Sequence, residues 1–211
     1  MENKVSITEL GDPSKPHGEA GAEMLKEMNE HHSSVTTWAL GFLDVKNGES
    51  ILDIGCGGGE TLRRLSEMNV SGKLTGVDHS EVSVTLSKEH NIDDVSSGKM
   101  EIVKGSVEKL PFEDNTFNKI ITVESFYFWP EPSESLKEVY RVLAPKGRFL
   151  VVADIYGNAE LSKEEIENIR KYDLYNPTLE EFRSLFTGAG FTDVNIHTKK
   201  GKNWVCAEGN K

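Results

Sequence analysis

The sequence contains only two cysteines, and it has no apolar run of the 18 or more residues that would cross a membrane. Cys56 and Cys206 cannot build a disulfide framework, and no Cys or His pair follows at the spacing of a zinc site. We therefore expect two reduced thiols and no metal site. The first ten residues lack the basic and then apolar layout of a signal peptide, which predicts a cytoplasmic protein without a membrane segment.

Positive charge is also scarce. The chain has 24 Lys and Arg against 35 Asp and Glu, a formal net charge of −11, and the acidic residues are spread along its length. Nucleic-acid binding needs a basic face to contact phosphates, so we expect no nucleic-acid partner. With 211 residues and 36% hydrophobic content, the chain can build one real core, and we expect a single domain over residues 1–211.

Apolar runs alternate with amphipathic stretches in the middle of the chain. The predicted strands are 51–54, 73–77, 100–103, 119–123 and 147–152. The predicted helices between them are 61–68, 80–90 and 133–143, and Ser80 and Ser133 are the expected N-caps of the last two. This alternation predicts a parallel α/β sheet with right-handed crossovers.

The two ends of the chain follow other patterns. Predicted helices at 19–31 and 33–43 share an apolar stripe, so residues 1–45 should form a helical arm. We expect this arm to pack on the sheet, and a lid that also contacts ligand is the alternative. Residues 46–154 would form the ligand-binding core. Residues 155–211 would add helices at 162–172 and 178–187 and a closing hairpin of strands at 191–197 and 203–208.

The most informative segment, residues 51–61, runs from a buried strand through a glycine cluster into a helix. Gly55, Gly57 and Gly59 allow a sharp turn and the close approach of a ligand to the helix N-terminus. Asp53 ends the strand among apolar neighbours, where a carboxylate is costly unless a cation or a donor-rich group meets it. A ligand ammonium would satisfy Asp53. Cys56 in the same turn is best explained by its small size.

A second acid, Asp78, ends the next predicted strand, nineteen residues after Gly59. Its two oxygens can accept both vicinal hydroxyls of a ribose. The structural alternative is an N-cap for the following helix, although Ser80 already supplies that cap. The neighbouring residue, His79, would border the ribose.

Glu60 helps to distinguish between the candidate nucleotide ligands. In the Gly-x-Gly-x-x-Gly pattern of dinucleotide sites the third glycine lies beside the pyrophosphate, yet Gly55 and Gly57 place Glu60 at that position. No Gly-Lys-Ser/Thr follows the turn, as a Walker loop would require. A nucleoside without phosphates therefore fits better, and S-adenosylmethionine combines a ribose, an amino-acid end and a sulfonium.

Residues 50–154 resemble the class I S-adenosylmethionine-dependent methyltransferases in several motifs that occur in order. These are LDIGCGGG at 52–59, VD at 77–78, GSVEKLPF at 105–112, the strand and loop at 117–129, and RVLAPKG at 141–147. The resemblance implies a Rossmann-like, doubly wound sheet of seven strands, parallel except for the last, in a three-layer αβα arrangement. It also implies S-adenosylmethionine as cofactor and S-adenosylhomocysteine as product.

The resemblance further implies contacts to the cofactor. Gly55 and Gly57 would back its methionine part, Asp53 would assist its amino group directly or through water, and Asp78 would hold its ribose. Ser106 and Val107 would frame the adenine. Many relatives carry Asp where this chain has Ser106, so the adenine amine would meet a hydroxyl or a carbonyl instead.

The predicted acceptor wall is the loop that begins at Val123, because ligands bind at the carboxyl edge of such sheets. Four aromatic residues, 126–129, would line it and could hold a cation, although Phe126 or Phe128 should belong to the core. Three side chains are candidates for the chemistry. Glu124 could receive a proton or pair with the cofactor's ammonium, Tyr127 could orient the acceptor, and His32 could serve as a base if the arm folds over the site.

The leading interpretation is a methyltransferase that moves a methyl group by in-line displacement to a small molecule, since so short a chain leaves no separate domain for a macromolecule. Two alternatives stay open. One is a non-catalytic S-adenosylmethionine-binding regulator or subunit, and the other, disfavoured by Glu60, is a nicotinamide-dependent oxidoreductase. The acceptor atom stays open too, and the protein would be a monomer or a homodimer.

Overall fold

The computed structural model describes residues 11–69 and 71–211, so the first ten residues of the predicted arm lie outside the described part. The strands are β1 (Ser50–Ile54), β2 (Lys73–Asp78), β3 (Met100–Lys104), β4 (Phe117–Val123), β5 (Leu143–Ala153), β6 (Thr192–Thr198) and β7 (Val205–Asn210). They form one sheet in the order β3-β2-β1-β4-β5-β7-β6. Strand β7 pairs antiparallel with both β5 and β6, and the pairs among β1 to β5 are parallel. The predicted doubly wound sheet with an antiparallel last strand is confirmed.

Helices cover both faces of this sheet. They are α1 (Gly18–His31), α2 (Ser33–Leu43), α3 (Glu60–Met68), α4 (Glu81–His90), α5 (Ile92–Ser96), α6 (Pro132–Val142), α7 (Lys163–Lys171) and α8 (Leu179–Ala189). Successive residues of β5 point to opposite faces: Phe149 packs with the α6 and α8 side chains, whereas Leu150 packs with those of α2 and α3. Two apolar cores on either side of one sheet give the predicted three layers.

Helix α2 places part of the N-terminal arm on the sheet. Val35, Ala39 and Leu43 are buried in the same core as Ile51 of β1 and Leu150 of β5. The expectation that the arm packs on the sheet is therefore confirmed for α2. No helix within residues 11–69 and 71–211 is long and apolar enough to span a membrane.

Three local predictions need adjustment. Ser80 is the N-cap of α4, since its Oγ accepts from the Ser83 amide at 3.4 Å, but Ser133 caps nothing. Helix α6 begins at Pro132, whose fixed φ suits the first helical turn, with Glu131 at the N-cap position. Strand β5 begins at Leu143, four residues earlier than predicted, because Leu143 pairs with Phe117 before a register shift. The short helix α5 was not predicted.

Gly76 in β2 has no side chain, which leaves space for the side chains that pack on this face of the sheet. A Cβ at this position would lie 2.7 Å from Leu62 Cδ1 and 3.0 Å from Cys56 Sγ. We expect Gly76→Ala to lower the free energy of unfolding by about 1–3 kcal/mol through overpacking. The control is Gly41→Ala at an exposed position of α2, where nothing lies within 4 Å of an added Cβ and a helical alanine should stabilise by about 0.5–1 kcal/mol. Denaturant unfolding of both variants measures this, and equal changes would contradict the packing described.

Candidate active site

A cavity of about 700 Å³, here the first cavity, lies at the carboxyl ends of β1, β2 and β4. The glycine turn between β1 and α3 forms one wall. Gly55, Gly57 and Gly59 all have positive φ, at 71°, 50° and 83°. A side chain at Gly55 would meet Ser125 after β4, since an added Cβ would be 2.6 Å from Ser125 Cβ. The turn is therefore pressed against the β4 loop, and only glycine fits there.

Asp53 is the most unusual group in this wall. It is 1% exposed, and neither of its carboxylate oxygens has a hydrogen-bond partner among the described residues. Burial, with a smaller contribution from the charge of Asp78, raises the pKa of Asp53 to about 8. A buried, orphaned carboxyl group facing a cavity is a ready partner for a ligand ammonium.

Asp78 is also buried, but donors of the protein hold it. Its Oδ2 accepts from the Gly57 amide at 3.0 Å and its Oδ1 accepts from the Ser80 amide at 2.9 Å. Because Ser80 itself caps α4, Asp78 is not the N-cap that the structural alternative proposed. His79 lies beside it, with Nδ1 at 3.7 Å from Asp78 Oδ1. Both side chains line the first cavity.

The segment after β3 closes the far end of the first cavity. Ser106 and Val107 line it as predicted, and Ser106 Oγ donates to Glu108 Oε2 at 3.0 Å. Glu108 also lines the cavity and was not predicted as a site residue. It supplies a carboxylate two residues beyond Ser106, and its place in the GSVEKLPF motif is the signal that could have found it.

The N-terminal arm forms the roof of the first cavity. Ser80 Oγ donates to the carbonyl of Pro16 at 2.9 Å, and Leu25 of α1 lies in contact distance above Gly57. Met28 and His32 also line the cavity. Helix α2 thus packs on the sheet while α1 lines the first cavity, and contact of the arm with a ligand stays a prediction.

One predicted residue is placed differently from expectation. Gly59 does not line the first cavity; it packs against Ser87 of α4 and against Asn91, which directly follows that helix and whose side-chain amide donates to the Gly59 carbonyl at 3.1 Å. Phe126 is the loop aromatic that belongs to the core, as expected for Phe126 or Phe128, and it packs against Phe182 of α8 while the other three line the cavity. Cys56 and Val123 do line it, and burial raises the pKa of the Cys56 thiol well above its usual value.

The predicted catalytic side chains meet at the other end of the first cavity. Glu124 follows β4 with a left-handed φ of 54° and is 4% exposed. Tyr127 Oη donates to Glu124 Oε2 at 2.8 Å, whereas Glu124 Oε1 has no hydrogen-bond partner among the described residues. His32 Nε2 lies 4.0 Å from Glu124 Oε2. A strained backbone that holds a buried acid is a common feature of functional sites.

Burial dominates the protonation of this group. It raises the pKa of Glu124 well above its usual value, helped by the neighbouring Asp154, and it lowers the pKa of His32 to about 3, helped by His31. Asp154, directly after β5, has its own pKa raised by burial. Asp154 was not predicted as a site residue, although it follows a predicted strand at the same sheet edge as Glu124.

A second cavity, of about 930 Å³, adjoins this end of the first. The two share Pro13, Met28, His32, Tyr127, Phe128 and Tyr172. The second cavity is rich in acidic side chains: Glu27, Glu30, Asp154, Glu164 and Glu165. A ligand in the first cavity and a second molecule in the second cavity would therefore meet beside Glu124 and Tyr127.

Comparison with known proteins gives the same class as the fold and the glycine turn. Residues 52–151 match the family model described as "Methyltransferase domain". The chain is 30% identical to demethylmenaquinone methyltransferase of Staphylococcus aureus strain JH9, over 75% of this chain and 74% of that protein. The chain belongs to the class I S-adenosylmethionine-dependent methyltransferases.

Two further similarities show how much of the chain resembles known methyltransferases. The chain is 36% identical to rice (Oryza sativa subsp. japonica) cycloartenol-C-24-methyltransferase 1 over 61% of its own length, but spans only 36% of that protein. A crystal structure of an S-adenosylmethionine-dependent methyltransferase from Aquifex aeolicus superimposes with a TM-score of 0.73 at 21% identity, covering 90% of this chain and 97% of the other. This protein is an S-adenosylmethionine-dependent methyltransferase, and its cofactor is S-adenosylmethionine.

The protonation of Asp53 generates a test in the ligand-free protein. Between about pH 4 and pH 8 the folded protein keeps a proton on Asp53 that the unfolded chain has lost, so stability falls as pH rises through this window. The thermal unfolding midpoint of Asp53→Asn should therefore rise relative to that of wild type by about 3 °C per pH unit from pH 5 to pH 8, and the difference should then level off. Thermal unfolding measures it. The exposed Glu101→Gln is the control, and a difference independent of pH would refute the assignment.

Proposed function

We propose that this protein transfers the methyl group of S-adenosylmethionine to an uncharged or cationic small molecule bound in the second cavity. One observation carries the proposal: Tyr127 lines both cavities and is hydrogen bonded at 2.8 Å to Glu124, which lines the first cavity. The acidic lining of the second cavity disfavours anionic acceptors such as phosphorylated metabolites. The net charge of −11 similarly disfavours a nucleic-acid substrate.

The first cavity fits the cofactor. The orphaned oxygens of Asp53 suit its amino group, Asp78 suits its ribose, and Ser106, Val107 and Glu108 would surround its adenine. A volume of about 700 Å³ is within the range of small-molecule sites. When bound, S-adenosylmethionine supplies a methyl group on a sulfonium, which a nucleophile takes by in-line displacement.

The chain's own residues would contribute mainly alignment. The wall of Tyr127 and Phe128 belongs to both cavities, so it fixes the approach of an acceptor toward the first cavity. Glu124 Oε1, buried and without a partner, is placed to accept a hydrogen bond or a proton from a nucleophilic hydroxyl or ammonium. Tyr127 positions Glu124 through its Oη, and His32 stands at 4.0 Å as a second acceptor.

The alternatives are less well supported. A nicotinamide-dependent oxidoreductase is not favoured, because Glu60 occupies the pyrophosphate position and the family is that of methyltransferases. A non-catalytic S-adenosylmethionine-binding subunit would need no buried acid between two cavities, which this chain has. A cytoplasmic location and a monomeric or homodimeric state stay predictions.

Glu124→Gln tests the proposed chemistry. We expect turnover to fall about 100-fold or more, because general-base contributions are of that size, while the affinity for S-adenosylhomocysteine stays within about twofold. Release of S-adenosylhomocysteine is measured against a panel of small amines, phenols and alcohols, with the exposed Glu67→Gln as the control. Full turnover in Glu124→Gln would contradict a catalytic role for this carboxylate. Cofactor binding without transfer to any panel member, but with transfer to a nucleic acid or protein, would contradict the small-molecule proposal.

A further inference from the structure

Four side chains with metal-binding chemistry converge where the two cavities join. His31 and His32 stand at the end of α1, Asp154 follows β5 and Glu124 follows β4. One ligand atom each from His31, His32 and Asp154 lie within 4.8 Å of one another, and His31 Nε2 is 3.8 Å from Asp154 Oδ2. Glu124 Oε2 lies 4.0 Å from His32 Nε2. Two imidazoles and the Asp154 carboxylate thus face one centre, and Glu124 stands beside His32.

The carboxylate oxygens of this cluster are only partly satisfied by protein donors and cations. Glu124 and Asp154 follow adjacent strands of the sheet, and Glu124 Oε1 is buried without a hydrogen-bond partner among the described residues. Among residues 11–69 and 71–211, no Lys or Arg lies within 4.0 Å of either carboxylate, and the basic side chains within that distance are His31 and His32. Two facing carboxylates require a proton or a cation between them. An unpaired oxygen in so buried a position therefore points to a ligand.

We propose that His31, His32 and Asp154, with Glu124 beside them, form a binding site for a first-row divalent metal ion such as Zn²⁺. Imidazole nitrogen and carboxylate oxygen bind zinc tetrahedrally at about 2.0–2.2 Å, so two ligand atoms stand about 3.4 Å apart. The separations of 3.8 and 4.0 Å exceed this distance by about half an ångström, and the widest, 4.8 Å, exceeds it by about 1.4 Å, so the side chains must close around the ion. Imidazole together with carboxylate favours zinc and its neighbours over Mg²⁺ or Ca²⁺.

The fold holds the carboxylates and leaves one imidazole free to adjust. Glu124 and Asp154 follow paired parallel strands in which Val123 stands opposite Val152, and the Glu124 amide donates to the Val152 carbonyl at 2.9 Å. His31, in contrast, has a side chain that is 62% exposed at a helix end. The required closure therefore falls on the side chain with the most freedom, while the acids are fixed in advance.

The position of the proposed metal site would affect how an acceptor binds. Asp154, His31 and His32 line the second cavity, so an ion there would leave coordination positions open toward it. An acceptor oxygen or nitrogen could fill such a position, in the way that open metal sites hold substrates. The metal site itself depends only on these side chains and would stand even if the acceptor proposal failed.

Calorimetric titration of the chelator-stripped full-length protein with ZnCl₂ tests the proposal directly. We expect one equivalent to bind, and His31→Ala and Asp154→Asn to weaken binding by about 100-fold or more, since even outer-shell partners are worth 10- to 100-fold. The control is His90→Gln, because His90 also faces a carboxylate, with Nε2 at 3.0 Å from Glu60 Oε2, but has no second imidazole beside it. CoCl₂ adds a spectroscopic reading, as its visible bands report a bound nitrogen and oxygen ligand set.

Titration with S-adenosylhomocysteine in the presence of chelator separates loss of the metal site from loss of the fold, because the first cavity should bind it equally in all these variants. The proposal is overturned if wild type binds less than one equivalent of zinc, or if His31→Ala and His90→Gln bind it alike. It is also overturned if zinc does not bind but ethylammonium does, with that binding lost in Asp154→Asn. The cluster would then be an ammonium site.

Discussion

The whole ligand-binding edge depends on one constraint: apolar parallel strands end in carboxylates that the strands themselves cannot satisfy. Asp53, Asp78, Glu124 and Asp154 come at the carboxyl ends of β1, β2, β4 and β5. Buried carboxylates are costly without donors or cations. The protein supplies donors to Asp78 from Gly57 and Ser80, yet it leaves oxygens of Asp53 and Glu124 without partners. Asp53 in the wall of the glycine turn and Glu124 at one end of the first cavity are therefore the positions where we expect donor or cationic groups of a ligand.

The N-terminal arm makes this edge into an enclosed site. Helix α2 is anchored in the core beneath β1 and β5, which fixes the junction of the two helices. Helix α1 then carries Leu25 and Met28 over the glycine turn and ends at His31, and the next residue, His32, lies 4.0 Å from Glu124. One arm therefore roofs the first cavity and supplies a wall to the second, so the two cavities share a structural element.

Much of this could be predicted from local patterns. Asp53, Asp78 and Glu124 each directly follow or end an apolar run, and parallel strands bring such positions to one edge. The glycine turn with Gly55 and Gly57 could also be predicted, because it too directly follows an apolar run. Gly59 was misassigned because its left-handed φ serves the start of α3 and the packing of α4, and a glycine pattern does not distinguish the two uses.

The missing features are long-range. His32 precedes Glu124 by 92 positions in the chain, and nothing in the local sequence shows that α1 turns back over the sheet. Asp154 was overlooked because its importance comes from Glu124 on the adjacent strand, not from its own neighbours. The burial of Phe126 depends likewise on Phe182, from a helix predicted independently. Periodicity finds elements, but the contacts between distant elements decide which side chains share a site.

The most direct test is a crystal structure of the protein with S-adenosylhomocysteine. The account predicts the ribose hydroxyls on the Asp78 carboxylate, the amino group within hydrogen-bonding reach of Asp53 directly or through one water, and the sulfur at the Glu124 end of the first cavity. A nucleoside bound elsewhere would contradict it, as would one whose amino group lies away from Asp53 and leaves that carboxyl group still without a partner.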